Sequence, residues 1–382
     1  MHKRSKLAIL AVATLGALAF PAASASAASP AGPAAVSTTC PDIAHHEDAK
    51  QDGYNCSTIP QTPALLWSTT LDSDASYPVI AGGRVFVTTS APGGSYGGDL
   101  YALDAATGKV LWGPVALTGT YYYFALAYDS GRVFVNDFDG TVTAFNAANG
   151  TEDWSTATSD FSSEPVAANG TVWAQSGSVL YGLSEKTGAV QEESTPLDGD
   201  GNTPAVSSAG VFLSGGCSQF RLSLSATVVW SDNSGCEGGG GGPSYLSNGR
   251  MYSGEGDVVL AQSTGKSLGT YTGRPAFAAT TGYFADGDIV SASSVVTGEA
   301  LWSATLSAPV ADSPVVTPSA VWVATSDSKL VALDPANGSV LSTSPLPAAP
   351  GGGGQYSGVP SDLGVGNNIV IVPTGATVSA FG

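Results

Sequence analysis

A unit recurring about every forty residues constrains this chain more than any other feature, because one such copy is too small to bury a core alone. The clearest copy is Leu100-Tyr-Ala-Leu-Asp-Ala-Ala-Thr-Gly-Lys-Val-Leu-Trp112: an apolar strand, a turn with glycine, and a short strand carrying tryptophan. Val142 to Trp154 repeats it. Weaker copies end at Glu192, Trp230, Gly269, Trp302 and Ser342, so successive ends lie 33 to 42 residues apart. Upstream of each runs a strand with a large apolar or aromatic residue: Phe86, Phe134, Trp173, Phe212, Tyr252, Phe284, Trp322 and finally Ile371. Before that comes another short strand, often opened by proline, as at Pro78, Pro165, Pro204, Pro275 and Pro314. Four strands per unit, A to D, with polar turns between them, make a propeller blade.

The ends give the count. Val378-Ser-Ala-Phe381 reads as a C strand with no tryptophan-bearing D strand after it, and Pro63-Ala-Leu-Leu-Trp67 as a D strand with no C strand before it. Pairing the two completes an eighth blade and leaves no open sheet edge around the ring. The expectation is an all-β, eight-bladed β-propeller of four-stranded blades over 62–382, closed by its N- and C-terminal strands. Composition agrees. Of 382 residues, 43% are hydrophobic, enough to build a core. The charged fraction is 12%, about half of what a soluble domain usually carries. The net charge of −18 argues against nucleic acid or an anionic membrane as partner.

Residues 1–27 read as a secretory signal peptide. Lys3, Arg4 and Lys6 precede an apolar run from Leu7 to Phe20, and small-residue cleavage sites follow at Ala23-Ser-Ala25 and Ala25-Ser-Ala27. The run is short for a bilayer span, and no second candidate follows. The leader has neither an Arg-Arg pair nor a lipobox cysteine. The expected location is secreted, extracellular or in the cell-wall space. Cys40, Cys56, Cys217 and Cys236 all lie beyond the leader, and an even count in an oxidising compartment points to disulfides. Proximity in sequence suggests Cys40–Cys56, closing an N-terminal arm over 28–61, and Cys217–Cys236. The second pair joins a B–C turn to the D–A connection of the same blade, on one face of the ring. His45, His46, Glu47 and Asp48 lie inside the first loop. Adjacent histidines on a regular strand face opposite ways, so this segment is expected to be a solvated loop rather than a metal site.

Ala102, Asp104, Thr107, Gly108 and Trp112 give the pattern Ala-x-Asp-x-x-Thr-Gly-x-x-x-Trp. It resembles the tryptophan-docking repeat of pyrroloquinoline-quinone (PQQ)-type propellers, and the resemblance covers 62–382. It implies that Trp67, Trp112, Trp154, Trp230 and Trp302 pack between neighbouring blades, and that the turn glycine lets the C–D connection reverse. Glu192, Gly269 and Ser342 replace the tryptophan elsewhere, so those junctions are expected to be less well tied. The same propeller serves quinoprotein dehydrogenases, outer-membrane assembly lipoproteins and plain binding scaffolds, so the resemblance speaks for fold more than function. The dehydrogenases carry an adjacent cysteine pair over the cofactor and a calcium site of Glu, Asn and Asp. The sequence has no adjacent cysteine pair, and no such acidic set is recognisable by motif.

The remaining motifs favour turns over chemistry. Asp-Gly pairs near 137–140, 198–202 and 286–288 suit hairpin turns and connections, with Asp198 and Asp200 the best calcium candidates. The glycine runs at 238–242 and 351–354 lack the following Lys-Ser/Thr of a phosphate loop. The expected function is therefore an exported, non-catalytic binding or scaffold module, monomeric and without a cofactor. Its partner would be an envelope or extracellular protein, a peptide or a glycan. The alternative is a quinone-dependent oxidoreductase using PQQ with calcium on alcohols or sugars. The long connections 90–98, 231–243 and 343–358 all fall on the face carrying the D–A and B–C loops, and long loops on a rigid scaffold commonly bind. Candidate contacts at that mouth are Tyr77, Tyr121, Tyr122, Tyr123, Glu164, Arg274 and Tyr356, with the aromatic run 121–124 a stacking platform or an inter-blade packing element.

Overall fold

The computed structural model describes residues 40–91, 96–121, 124–159, 163–199, 202–233, 241–351 and 361–382. The proposed signal segment 1–27, Tyr122, Tyr123, Asp200, Cys236 and Tyr356 lie outside the described residues. Eight four-stranded antiparallel sheets are present, each ordered A-B-C-D, and no helix occurs among the described residues. Blades 1 to 7 run in chain order from 79–117 to 315–345. Blade 8 takes strands A to C from Gly364–Gly366, Ile369–Thr374 and Thr377–Phe381, and its outer strand from Leu65–Thr70. Trp67 pairs with Ala380 and Thr70 with Thr377, so the two ends of the chain share one ladder. The eight-bladed propeller closed by its terminal strands is what the sequence led us to expect.

Strand alternation explains the core. Strand B of blade 1 (Arg84–Ser90) is buried from Val85 through Thr89, because blades cover both of its faces. Strand D (Val110–Leu117) is mostly exposed at the rim. The register places Trp112 opposite Ala102, itself opposite Phe86, and Trp154 opposite Ala144 and Phe134. In blade 6 the sequence reading was one residue late: Tyr283, not Phe284, pairs with Ala292 and so with Trp302. A one-residue slip sends a side chain to the opposite face of the sheet. Phe284 accordingly packs toward blade 5, beside Tyr252 and Tyr271.

The five tryptophans tie neighbouring blades in one repeated geometry. Each indole N–H donates to a carbonyl of the next blade's C–D turn. Trp67 bonds Ala105 at 2.9 Å, Trp112 Ala147 at 3.1 Å, Trp154 Glu185 at 3.0 Å, Trp230 Gln262 at 2.9 Å and Trp302 Pro335 at 2.9 Å. Three residues beyond each acceptor stands a glycine with φ of +69° to +73°: Gly108, Gly150, Gly188, Gly265 and Gly338. A Cβ on any of the five would sit 2.4 to 2.7 Å from the ring, so glycine is required both by conformation and by contact.

Candidate ligand-binding funnel

The segment from Cys40 to Cys56 was expected to form a solvated loop, and the structure overturns this: Asp42, His46, Glu47, Gln51 and Asp52 are buried. The segment is wound inside the central channel. Asp42 exchanges backbone hydrogen bonds with Ile80 of blade 1, at 3.0 and 2.8 Å. Ile43 accepts from Tyr128 of blade 2, Ala49 from Val206 of blade 4, Lys50 from Leu246 of blade 5 and Asp52 from Phe277 of blade 6. Gly53 accepts from Val316 of blade 7, and Cys40 from Asn367 of blade 8. Ala49 also packs against the apolar cluster shared by blades 3 and 4, which includes Val166 and Val206. The inner edges of the A strands would otherwise face the channel with unpaired backbone groups. One segment satisfies seven of the eight. Coiling that tightly takes left-handed backbone at His46, Glu47 and Gln51 (φ 57°, 83° and 58°) and glycine at Gly53, where a Cβ would meet the His46 ring at 2.6 Å.

The plug enters from the face of the A–B and C–D turns. Thr58 N–H donates to Asn368 Oδ1, and Asn368 N–H to Ser57 Oγ, in the A–B turn of blade 8. Ile59 is then buried between blades 7 and 8, among Trp322, Leu363 and Val365. A disulfide joins Cys40 and Cys56 with 5.4 Å between Cα atoms, closing the plug on itself. Cys217 is disulfide-bonded as well, and with Cys40 and Cys56 committed to each other, the rival pairings that strap the arm to Cys217 are excluded.

Because the plug closes one side, the opposite side is a funnel open on the face of the D–A and B–C connections. A cavity of about 540 Å³ there is lined by His45, Tyr245, Asp257, Tyr271, Arg274 and Asp362, among others. His45 Nε2 lies 3.7 Å from Asp362 Oδ2. Asp362 Oδ1 accepts from the N–H groups of Ser313 and Leu363, at 2.9 and 3.0 Å. Burial disfavours both charges, but the pairing outweighs it: His45 titrates above its ordinary value and Asp362 below its own. Burial pushes Asp312 well above the usual carboxylate range, Asp362 adds to the shift, and the Arg274 guanidinium opposes it. The buried Asp312 Oδ2 has no hydrogen-bond partner among the described residues. His46 is turned inward, its ring nitrogens 2.8 Å from the Gln51 carbonyl and 3.1 Å from that of Pro314, and burial lowers its pKa.

The family model described as outer membrane protein assembly factor BamB matches residues 58–214 and 222–379. The chain belongs to this PQQ-type repeat family. Solved structures similar to this PQQ-type propeller include quinohemoprotein alcohol dehydrogenase from Comamonas testosteroni, with a TM-score of 0.68 and 14% identity over 91% of this chain and 81% of that one. BamB from Moraxella catarrhalis gives 0.61 and 15% identity, over 84% and 99%. The computationally designed Ika8 protein gives 0.68 and 16%, over 83% and 99%. At these identities the likeness is one of fold. No curated protein matches the sequence.

Of the residues singled out in the sequence, the funnel of this PQQ-type propeller brings together Arg274, Glu164 and Tyr77 around His45. Arg274 is exposed at the mouth and donates to the Ala311 carbonyl at 2.6 Å. Glu164 accepts from the Thr203 hydroxyl and bears electrostatically on both His45 and Tyr77. Tyr77 is buried, with its hydroxyl donating to the Leu126 carbonyl at 2.6 Å and accepting from the Leu126 N–H at 2.7 Å. Its ring meets His45 edge-on at 5.1 Å. Tyr121 packs instead on Phe138 at 4.3 Å, in the core shared by blades 1 and 2. Asp198 is exposed and accepts from Ser218 at 3.3 Å. Sequence reasoning missed His45, Tyr245, Asp312 and Asp362 as funnel residues. Tyr245 lies in strand A of blade 5, whereas His45, Asp312 and Asp362 sit outside the strands, and the one available signal was the unusual His-His-Glu-Asp run at 45–48.

Proposed function

We propose that this chain is an exported, non-catalytic binding propeller of the cell envelope or extracellular space. On this reading 1–27 is the signal peptide, 28–61 the arm that plugs the channel, and 62–382 the monomeric body. A protein segment, peptide or glycan enters the funnel on the face of the D–A and B–C connections. The observation that carries the reading is the plug. A channel stoppered by the chain's own backbone leaves one mouth, and rigid one-mouthed cavities lined by a few convergent polar groups are ligand sites. Arg274 and the His45–Asp362 pair offer a cation and an anion side by side, which suits a ligand bearing both donors and acceptors.

The funnel suits PQQ poorly. The quinone carries three carboxylates, whereas Arg274, the one guanidinium lining the described cavity, shares it with Asp257 and Asp362 and acts electrostatically on the buried Asp312. Among the described residues no three His, Cys, Asp or Glu side chains are placed to hold a metal ion. Two measurements test the reading. Immobilised peptidoglycan fragments, glycans and envelope proteins are screened with the native chain and with Arg274→Ala. We expect at least a tenfold loss in the variant, as for a charged contact at a partly desolvated site. Reduction of a dye on alcohols or sugars after adding PQQ and calcium would support the oxidoreductase and overturn this proposal.

A further inference from the structure

Three blade junctions lack the docking tryptophan, and they differ in what replaces it. After Ser342 the arm covers the gap, its Gln61 carbonyl accepting from the Ser342 hydroxyl. After Glu192 the next C–D turn has a different build, with Ala226 in left-handed conformation. After Gly269 the receiving turn is intact and its ring is missing. Gly269 pairs with Val259, the register in which Trp112 pairs with Ala102. Gly298 has a φ of +76° and donates to the Ser294 carbonyl at 2.8 Å, the distance at which Gly108, Gly150, Gly188, Gly265 and Gly338 close their turns. Yet a Cβ on Gly298 meets nothing within 4 Å. The carbonyl corresponding to the five acceptors, three residues before the glycine, is that of Val295.

The vacancy is a cavity of about 500 Å³ running from Gly269 to Gly298, walled by Val259, Leu268, Tyr271, Phe284 and Val295. Tyr252 stands where Phe86, Phe134 and Phe212 flank Trp112, Trp154 and Trp230, at ring distances of 5.9 to 6.2 Å. It now packs on Tyr271 at 5.4 Å. Arg250 lies at the rim, donating to the Val296 carbonyl at 3.3 Å, where a guanidinium can cover an aromatic face. Leu268 and Val296 at the edge are 50% and 55% exposed.

We propose that this slot between blades 5 and 6 is a binding site for an indole ring, supplied as a tryptophan side chain by a partner polypeptide. The molecule itself gives the chemistry, since five slots of the same construction hold indole with its N–H on a turn carbonyl. The exposed Leu268 and Val296 give the source, since an apolar edge beside the slot is covered by flanking peptide and left wet by a free ring. The slot shares Tyr271 with the funnel, but the inference does not rest on the function proposed for the funnel.

Fluorine NMR of N-acetyl-5-fluorotryptophanamide titrated with the full chain tests it. Saturable broadening is expected, and the N1-methyl analogue should bind about threefold to tenfold more weakly for want of one hydrogen bond. Ser293→Trp, which plants a ring in the slot from strand C of blade 6, should abolish saturation. Leu268→Glu, at an exposed edge that the fold does not depend on, should weaken it and keeps the test decisive if Ser293→Trp misfolds. Absence of saturation at millimolar concentration, or unchanged binding in Leu268→Glu, would overturn the site. Saturation by free 5-fluoroindole but not by the amide would overturn the partner's tryptophan as its source.

Discussion

Gly150 and Gly298 occupy the same turn position with φ of +72° and +76°, and differ in one respect. A Cβ on Gly150 would lie 2.7 Å from the Trp112 ring, whereas one on Gly298 meets open space. Gly298→Ala therefore costs only left-handed strain, about 1 to 2 kcal/mol. Gly150→Ala adds displacement of a packed ring and of its hydrogen bond to Ala147, worth about 1 kcal/mol or more beyond that. Denaturant unfolding of the two variants should rank them in that order, and equal losses would show that the rings do not tie the blades. The same logic ranks the tryptophans. Trp67 and Trp154, 8% and 9% exposed, lie deepest of the five, and truncating either to alanine should cost about 3 to 5 kcal/mol.

At the scale of elements, the plug is held mainly by backbone groups. Its buried carboxylates then need local partners, and Glu47 accepts from Asn55 Nδ2 and from the Val365 N–H, both at 2.8 Å. The Cys40–Cys56 link spans 16 residues, a loop whose closure in the unfolded chain is worth about 3 kcal/mol in the chain-entropy account. Replacing both cysteines by serine should lower stability by about that amount. It should also open the segment 41–55 to protease before the blades unfold, since the plug pairs only with strand edges while each blade is a four-stranded ladder. Mass spectrometry of the first cleavage products checks this, and first cuts within the blades would contradict it.

Across the whole molecule most of the acids with displaced pKa values are raised, Asp327 and Asp362 being lowered. Burial raises Asp52 and Asp137 to about 6 and Glu185 to about 7, and raises Asp42, Glu47 and Asp312 well above the carboxylate range. His45 is raised too, with Asp362 overcoming the burial that would lower it. A folded state that holds protons more tightly than the unfolded chain is favoured at low pH, and loses that advantage as pH climbs through the folded values. Asp362 runs the other way: its lowered value contributes above the ordinary carboxylate range and is lost as pH falls through the folded value, below about pH 4. The thermal midpoint should therefore rise from pH 8 to pH 5 and fall again below about pH 4. Relief of self-repulsion at a net charge of −18 acts in the same direction. Salt should remove that part and leave the part due to buried groups. A midpoint lower at pH 5 than at pH 8 would refute the assignment of these groups.

The number of blades, the order of strands, the terminal closure and the identity of the docking residues were legible in the residues alone. These follow from a local repeat in which side chains alternate across each strand, and a pattern of period two that recurs near every forty residues carries its register with it. The register was lost only at Tyr283-Phe284, where two adjacent aromatics fit the pattern equally well. The tertiary structure alone decided that 40–59 fills the channel. Its contacts run through backbone amides and carbonyls of blades hundreds of residues apart, which no side-chain pattern encodes. A run as polar as His45-His-Glu-Asp48 reads as solvated because hydration is the cheapest fate for charge; here it is buried because eight strand edges around one channel need partners. The funnel and the vacant slot were hidden for a related reason. Arg274 was legible as an isolated cation opening a strand, but Asp312, Asp362 and His45 converge only when blades 6, 7 and 8 and the plug meet, and Gly269 becomes a cavity only when Gly298 of the next blade stands opposite.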